Sequence, residues 1–373
     1  MDSLSRFSCG GKRGNRGMMQ IAVVGAGGWG MQHIKSLFQN KGVTVSGFID
    51  INPQALKGLL KEYGVNKDQC FSSVEKALRE SPFDAAIVSV PNPDRIPLVE
   101  YLLRNHIPCL IDKPAAHSAK DLRSLARTVR QTGTKVMVAQ NYRFLRQAQY
   151  IRQLIAGGKA GRVRHISHFF SRNESFLAKG FYARLSGPGV IALELGCHHI
   201  DLFNYFIGAF PVSVQGKTWH EHDDAIKADC HLSALLTYPG NVSVTYSSTL
   251  MGRANRTSWP GRFEISCERA HIVWDEQETD PIRVFEPDGT CRVRDKYKTI
   301  RLPTYPGDSL SRCQEAFFGL IQGKDPPEAL PCLVEQNAAC VLAGLAIHES
   351  GKTGKLIDFG RYYQKEFGRY ASL

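Results

Sequence analysis

The run Gln20-Ile21-Ala22-Val23-Val24 leads directly into Gly25-Ala26-Gly27-Gly28-Trp29-Gly30, and this G-x-G-x-x-G spacing constrains the fold more than any other feature of the chain. The apolar run predicts a buried strand, and the pattern from Met31 to Phe38 predicts a helix behind it. In that context each glycine has a task. Gly25 turns the chain off the strand, Gly27 lets backbone amides approach a pyrophosphate, and Gly30 lets the helix pack close to the sheet. The helix N-terminus offers unpaired N–H groups and the positive end of its dipole to phosphates. A second strand, Val43 to Ile49, closes on Asp50, twenty residues beyond Gly30. A carboxylate there accepts hydrogen bonds from both hydroxyls of an adenosine ribose and repels a 2′-phosphate. Ile51, next in the chain, brings no phosphate-binding group, so NAD is favoured over NADP.

A parallel sheet with helices on both faces is expected from about residue 20 to 141, because short apolar strands alternate with helical patterns. The central-strand run Asp84 to Val90, apolar over Ala85 to Val88, ends at Pro91-Asn92-Pro93, and the strand Pro108 to Ile111 delivers Asp112-Lys113-Pro114. Lys135 to Ala139 is the last strand before Asn141. Open α/β sheets bind ligands at their carboxyl edge, so the expected cofactor contacts are Gly25, Ala26, Gly27, Gly28, Trp29 and Gly30, with Asp50, Ile51, Pro91, Asn92, Asp112, Lys113 and Asn141. Beyond Asn141 the pattern changes to consecutive strands with turn signals at Pro239-Gly240-Asn241 and Pro287-Asp288-Gly289, which argues an antiparallel sheet. One helical pattern, Val190 to Ile207, interrupts the strands, and helices near Leu310–Gln322 and Glu335–His348 follow. The expected domains are a disordered tail over 1–18, a dinucleotide-binding domain over 19–141, and a substrate-binding and oligomerisation domain over 142–373.

The 373 residues suffice for two cored domains, and no apolar run reaches membrane-spanning length. The net charge of +12 lacks the runs of basic residues interleaved with aromatics that mark nucleic-acid binding. Ten cysteines without a C-x-x-C pair indicate neither a disulfide framework nor a zinc site, and they fit the reducing cytoplasm.

Two places carry chemistry. Lys113, at a strand end on the carboxyl edge, can orient a substrate hydroxyl and lower its pKa. In Glu194-Leu195-Gly196-Cys197-His198-His199-Ile200-Asp201, regular helical spacing puts Glu194, His198 and Asp201 on one face. His198 can then take a proton near neutral pH, with a carboxylate holding it. His199 points about a hundred degrees away, by the 3.6-residue helical repeat. The run Trp219-His220-Glu221-His222-Asp223-Asp224 reads as a solvated loop, and no metal is expected. Arg172, Arg184, Arg253 and Arg256, in the loops Ser171–Ser186 and Met251–Pro260, hint at an anionic group on the substrate.

Over nearly all of residues 20 to 350 the chain resembles the Gfo/Idh/MocA family, the glucose-fructose oxidoreductase and inositol dehydrogenase group. The resemblance rests on the GAGGWG turn, Asp50, Asp112-Lys113-Pro114 where the family usually has Glu-Lys-Pro, Asn141-Tyr142-Arg143-Phe144, and Gly189 through Asp201. It implies an N-terminal Rossmann fold and a C-terminal α+β domain with a large, open, mostly antiparallel sheet through which members pair as dimers or tetramers. It implies hydride transfer between NAD(P) and a hydroxyl or keto carbon of a sugar, sugar derivative or cyclitol. Lys113 and His198 match the family's catalytic lysine and histidine. Glu194 stands where inositol dehydrogenases have a substrate-binding aspartate, and Tyr142, Arg143 and His199 fall near the substrate. Two further outcomes are known within the family: NAD-dependent cleavage of a glycosidic bond without net redox change, and dinucleotide binding by a non-catalytic regulator. An imine or dihydrodiol is the alternative redox substrate.

Overall fold

The computed structural model describes residues 18–40, 42–180, 182–254, 256–275, 282–286, 297–303, 307–324 and 331–368. The tail before Met18 and the Pro287-Asp288-Gly289 turn lie outside them. The chain forms two compact units, one ending at Ile87 and one starting at Val88.

The first unit contains β1 (Met19–Val24), α1 (Gly28–Phe38), β2 (Val43–Ile49), α2 (Pro53–Tyr63), β3 (Cys70–Phe71), α3 (Val74–Glu80) and most of β4 (Ala85–Val88). β1 and β2 pair in parallel, as do β2 and β3. The residues of β4 are all fully buried, as expected for a strand covered on both faces. Local sequence sets the helix starts. The Asn52 side chain accepts from the Gln54 amide with Pro53 at the first position of α2, and Ser73 caps α3 in the same way. Ile34, Leu37, Phe48, Leu59 and Phe71 belong to the core of this unit.

The second unit begins with α4 (Asn92–Arg104), β5 (Cys109–Ile111), α5 (Ala119–Thr132) and β6 (Val136–Val138). With these the parallel sheet is six-stranded, in the order β3-β2-β1-β4-β5-β6. The chain continues through α6 (Arg146–Ala156), β7 (Val163–Ser171), a π-helical segment Gly189–Leu195, α7 (Gly196–Ile207), β8 (Ser213–Trp219), β9 (His231–Tyr238) and β10 (Val242–Thr249). It ends with β11 (Arg262–Cys267), β12 (His271–Trp274), β13 (Ile282–Phe285), β14 (Lys298–Ile300), α8 (Ser309–Ile321), α9 (Val334–Thr353), β15 (Ile357–Asp358) and α10 (Phe359–Phe367). Strands β7 to β15 form one nine-stranded sheet, in the order β14-β13-β12-β11-β7-β10-β9-β8-β15.

Three features go beyond the sequence reading. The large sheet is mostly antiparallel, as the resemblance implies, and the strand pattern alone gives no sign of its one parallel pairing, β7 with β10, between which α7 and the β8–β9 hairpin intervene. The helical pattern over Val190–Ile207 is two structures, a π-helical turn and then a regular helix. The C-terminus adds β15 and α10, with α10 and α9 lying on α5 and α9 also reaching β6. Those contacts belong to the second unit, which therefore includes β5, α5 and β6 as well as the large sheet.

Candidate active site

The glycine turn has the geometry its spacing demands. Gly25 adopts φ 94°, a conformation that disfavours any side chain, and its amide donates to the Ile49 carbonyl at 2.8 Å. A Cβ on Gly27 would meet nothing within 4 Å, and Gly27, Gly28 and Trp29 are exposed. No side chain caps α1, so its first amides are left for a ligand. The Asp50 carboxylate accepts from the amides of Ala26 and Asn52, at 2.7 Å each, which fixes it beside the turn. Ile51 is 90% exposed. These residues fit the adenosine and pyrophosphate of a dinucleotide: an open cradle of amides, with a carboxylate held at its rim.

The chemistry-bearing side chains belong to the second unit. β5 is an apolar, fully buried strand that ends by presenting Asp112 and Lys113. Arg95, buried on α4, fastens this corner: its guanidinium donates to the carbonyls of Val90 at 2.9 and 3.0 Å, and of Asp112 and Pro114 at 2.6 Å. Asp112 accepts from the Ser89 hydroxyl at 2.5 Å. Asn92 is buried, donates to the Pro114 carbonyl at 3.3 Å, and keeps its Oδ1 without a hydrogen-bond partner. Pro91 is exposed at the start of α4, and Asn141 donates to the Ser309 hydroxyl at 3.2 Å.

Lys113 Nζ donates to the Glu194 carbonyl at 2.6 Å and to Glu194 Oε2 at 3.1 Å, and Glu194 Oε1 contacts His117 Nε2 at 2.6 Å. Burial would push the Lys113 ammonium down, but the Glu194 carboxylate outweighs it and lifts the pKa above the ordinary lysine value. Burial likewise opposes ionisation of Glu194, yet the Lys113 charge and the His117 hydrogen bond draw its pKa down to about 2. Both groups are therefore charged at neutral pH. His198 stacks on Tyr142, with ring centroids 4.1 Å apart and planes within 17°. Burial first, then the positive charge of Lys113, hold it neutral, well below the usual 6.5. Its Nδ1 is buried without a hydrogen-bond partner. The phenol of Tyr182 is pushed up by burial and also feels the charges of Lys113 and Glu194.

The cluster can hold an ammonium next to a neutral imidazole, a pair suited to binding and deprotonating a hydroxyl. The NAD-binding Rossmann-fold model of the Gfo/Idh/MocA oxidoreductase family matches residues 19–140, and that family's C-terminal domain model matches 148–273. The chain belongs to the Gfo/Idh/MocA family. It is 24% identical over 335 residues to an inositol 2-dehydrogenase of Rhizobium meliloti, covering 88% of this chain and 96% of that one. A glucose-6-phosphate 3-dehydrogenase of Bacillus subtilis is 26% identical over 193 residues, 50% of this chain and 53% of the relative. Among solved structures, an Agrobacterium radiobacter oxidoreductase in complex with NAD+, L-tartaric acid and magnesium shares the fold with a TM-score of 0.79 at 18% identity, covering 92% of this chain and 99% of that one.

Within this Gfo/Idh/MocA site, several side chains stand elsewhere than regular helical spacing predicts. Glu194 lies in the π-helical turn, which rotates it off the face of α7 and onto Lys113 and His117. Gly196 makes that turn possible, since a Cβ there would come within 2.8 Å of the Ile191 carbonyl. Asp201 turns to Arg143, at 2.6 and 2.7 Å, with both side chains buried. Among the described residues no carboxylate is hydrogen-bonded to His198 Nδ1, and the ring is held by stacking on Tyr142 in place of the expected carboxylate support. Arg143, expected at the substrate, is instead engaged in this buried pair. His199 is similarly occupied: Nε2 faces the Trp259 carbonyl at 3.0 Å and Nδ1 the Tyr246 hydroxyl at 2.9 Å, and burial lowers its pKa to about 4. Arg172 is tied to Glu174 at 2.5 Å and lies over the Trp259 ring, while Arg184, Arg253 and Arg256 are exposed. The sequence reading passed over His117 and Arg95. Neither stands in a motif, and only the fold shows that His117, four residues after Lys113, reaches the same carboxylate.

Proposed function

We propose that this protein is an NAD-dependent dehydrogenase or reductase acting on a hydroxyl or keto carbon of a sugar, sugar derivative or cyclitol. The reading rests on one observation: a charged amine, Lys113, fixed by Glu194, in a cluster with an imidazole, His198, that is kept neutral. A bound nicotinamide supplies the hydride acceptor in oxidation and the hydride donor in reduction. Gly25 to Gly30 and Asp50 would hold its adenosine and pyrophosphate portion, and the carboxylate at Asp50 favours NAD over NADP. Lys113 binds the substrate oxygen and stabilises the negative charge that grows on it as the proton leaves. His198, neutral and stacked on Tyr142, accepts that proton, and in reduction the imidazolium returns it. Glu194 keeps the ammonium charged and aimed. Because His198 must be neutral to accept, turnover falls only when pH drops below its lowered pKa, so the acid limb of kcat lies well below pH 6.5.

A panel of sugars, inositols and sugar acids with NAD and NADP, followed by absorbance of the reduced cofactor, tests the assignment. Substrate-dependent reduction of NAD, lost in Lys113→Ala, supports it. Release of an aglycone without accumulating NADH assigns the chain to redox-assisted glycoside cleavage instead, and dinucleotide binding without turnover of any compound assigns a regulatory role.

Pairing into a dimer or tetramer through the large sheet is part of the same reading. Phe169 on β7 and Leu235 on β9 are 38% and 43% exposed there. No helix among the described residues is long and apolar enough to cross a membrane, and the free thiols of Cys70, Cys109 and Cys197 suit a reducing cytoplasm.

A further inference from the structure

Apart from the Lys113 cluster, Asp224, Cys230 and His231 bring three different potential metal donors together. Oδ2 of Asp224 is 3.3 Å from Cys230 Sγ and 2.9 Å from His231 Nε2, and all three donor atoms lie within 4.8 Å of one another. In a tetrahedral zinc site, bonds of about 2.0–2.3 Å place donor atoms about 3.3–3.6 Å apart, so the two Asp224 contacts lie within a few tenths of an ångström of that spacing and the thiol–imidazole pair within about an ångström. We propose that Asp224, Cys230 and His231 form a binding site for a zinc-class divalent cation, outside the hydride-transfer site.

The surroundings are built as supports for such ligands. His231 begins β9, opposite Trp219 of β8 and Thr249 of β10, and its ring stacks on the Trp219 indole with centroids 5.3 Å apart. Its Nδ1 lies 2.9 Å from Thr249 Oγ1, the outer contact that sets the tautomer of a metal-bound histidine. Cys230 is clamped through its backbone: its amide donates to the Trp219 carbonyl and its carbonyl accepts from the Leu250 amide, both at 3.0 Å. Asp224 Oδ2 also accepts the Glu221 amide at 2.6 Å, which holds the carboxylate toward the other two side chains. The Asp224 and His231 side chains are 10% and 17% exposed, enough to give an ion a route in, whereas Cys230 is wholly buried.

Without an ion, the thiol and His231 Nε2–H both donate to Asp224. Binding replaces those two hydrogen bonds by bonds to the cation. The Cys230 S–H proton is released to solvent, His231 moves its single ring proton from Nε2 to Nδ1, and Thr249 Oγ1 accepts a hydrogen bond from it. A thiolate, an imidazole and one carboxylate select zinc-class ions over magnesium or calcium, which require oxygen donors. Water fills the fourth position. The surrounding run Trp219–Asp224 reads in the sequence as a solvated loop; the fold draws Asp224 out of it and against Cys230.

Cobalt(II) added to the full chain, kept reduced, is the probe. One equivalent is expected to bind with a thiolate-to-cobalt charge-transfer absorption that zinc abolishes. Cys230→Ser should remove the band, and His231→Gln should weaken binding by more than about tenfold. No band in the folded wild type, or a band that survives Cys230→Ser, overturns the proposal. Should Cys230→Ser fail to fold, thermal melting decides with the other variant: zinc raises the melting temperature of the wild type and not of His231→Gln, whereas equal shifts overturn the site.

Discussion

Two of the buried ion pairs in the second unit have similar chemistry and different geometry. Arg143 and Asp201 form a closed, two-point pair, 5% and 1% exposed, with the thiols of Cys332 and Cys340 also directed at the carboxylate. Lys113 and Glu194 form an open pair, 15% and 10% exposed, flanked by His117. The planar guanidinium matches both carboxylate oxygens at once and leaves its partner no free edge, which suits a scaffold. The lysine is a point charge with three donors, of which the Glu194 carbonyl and carboxylate take two, so one remains for a substrate oxygen. A buried pair is available to a ligand only where its geometry leaves a donor unspent.

The largest expected effect separates the two pairs most sharply. Lys113→Ala should lower turnover by about 10²–10⁴-fold while unfolding in urea changes little. Unchanged turnover would break the distinction from the side of the open pair. Arg143→Ala should do the reverse, costing about 3–5 kcal/mol of stability because Asp201 is left charged and alone in the interior, with KM unaltered in the protein that still folds. A rise in KM without loss of stability would return Arg143 to the substrate.

A third measurement addresses neutral histidines in the same interior. The pKa of His199 falls from 6.5 to about 4 on folding, so between those values the unfolded chain binds a proton that the native state refuses. Stability is complete above pH 6.5 and declines as pH drops toward 4, by about 3 kcal/mol for this residue. His198, also depressed, acts in the same direction. A melting temperature that rises on acidification through this window contradicts the neutral state assigned to both. The smallest effect concerns His117. His117→Ala removes one of the contacts that hold Glu194, and kcat is expected to fall about tenfold, or 1.4 kcal/mol. Recovery in His117→Gln, which can still donate to Oε1, distinguishes positioning from a general loss of packing.

Much of the fold was legible because its signals are local. The strand–glycine–helix unit at Gly25, the apolar strand Ala85–Val88 and the strand delivering Lys113 each depend on residues close in sequence, and each formed as read. The short strands Lys298–Ile300 and Ile357–Asp358 were not legible, since two or three residues carry no periodicity and only partner strands define them. At the site, helical spacing misassigned the carboxylates. A π-helical turn shifts the angular position of every residue before it relative to the regular helix after it, and nothing in Gly189–Leu195 other than its glycine announces one.

The sequence by itself determined the dinucleotide turn, the carboxylate at its rim and the presence of an amine and an imidazole suited to hydride transfer, because these follow from spacing along one strand or one helix. Only the tertiary structure decided which carboxylate serves Lys113, that Arg143 and His199 are consumed in the interior, and that Asp224 meets Cys230 and His231. Hydrogen bonds and burial between residues far apart in the chain set those partnerships, and they depend on how the segments pack.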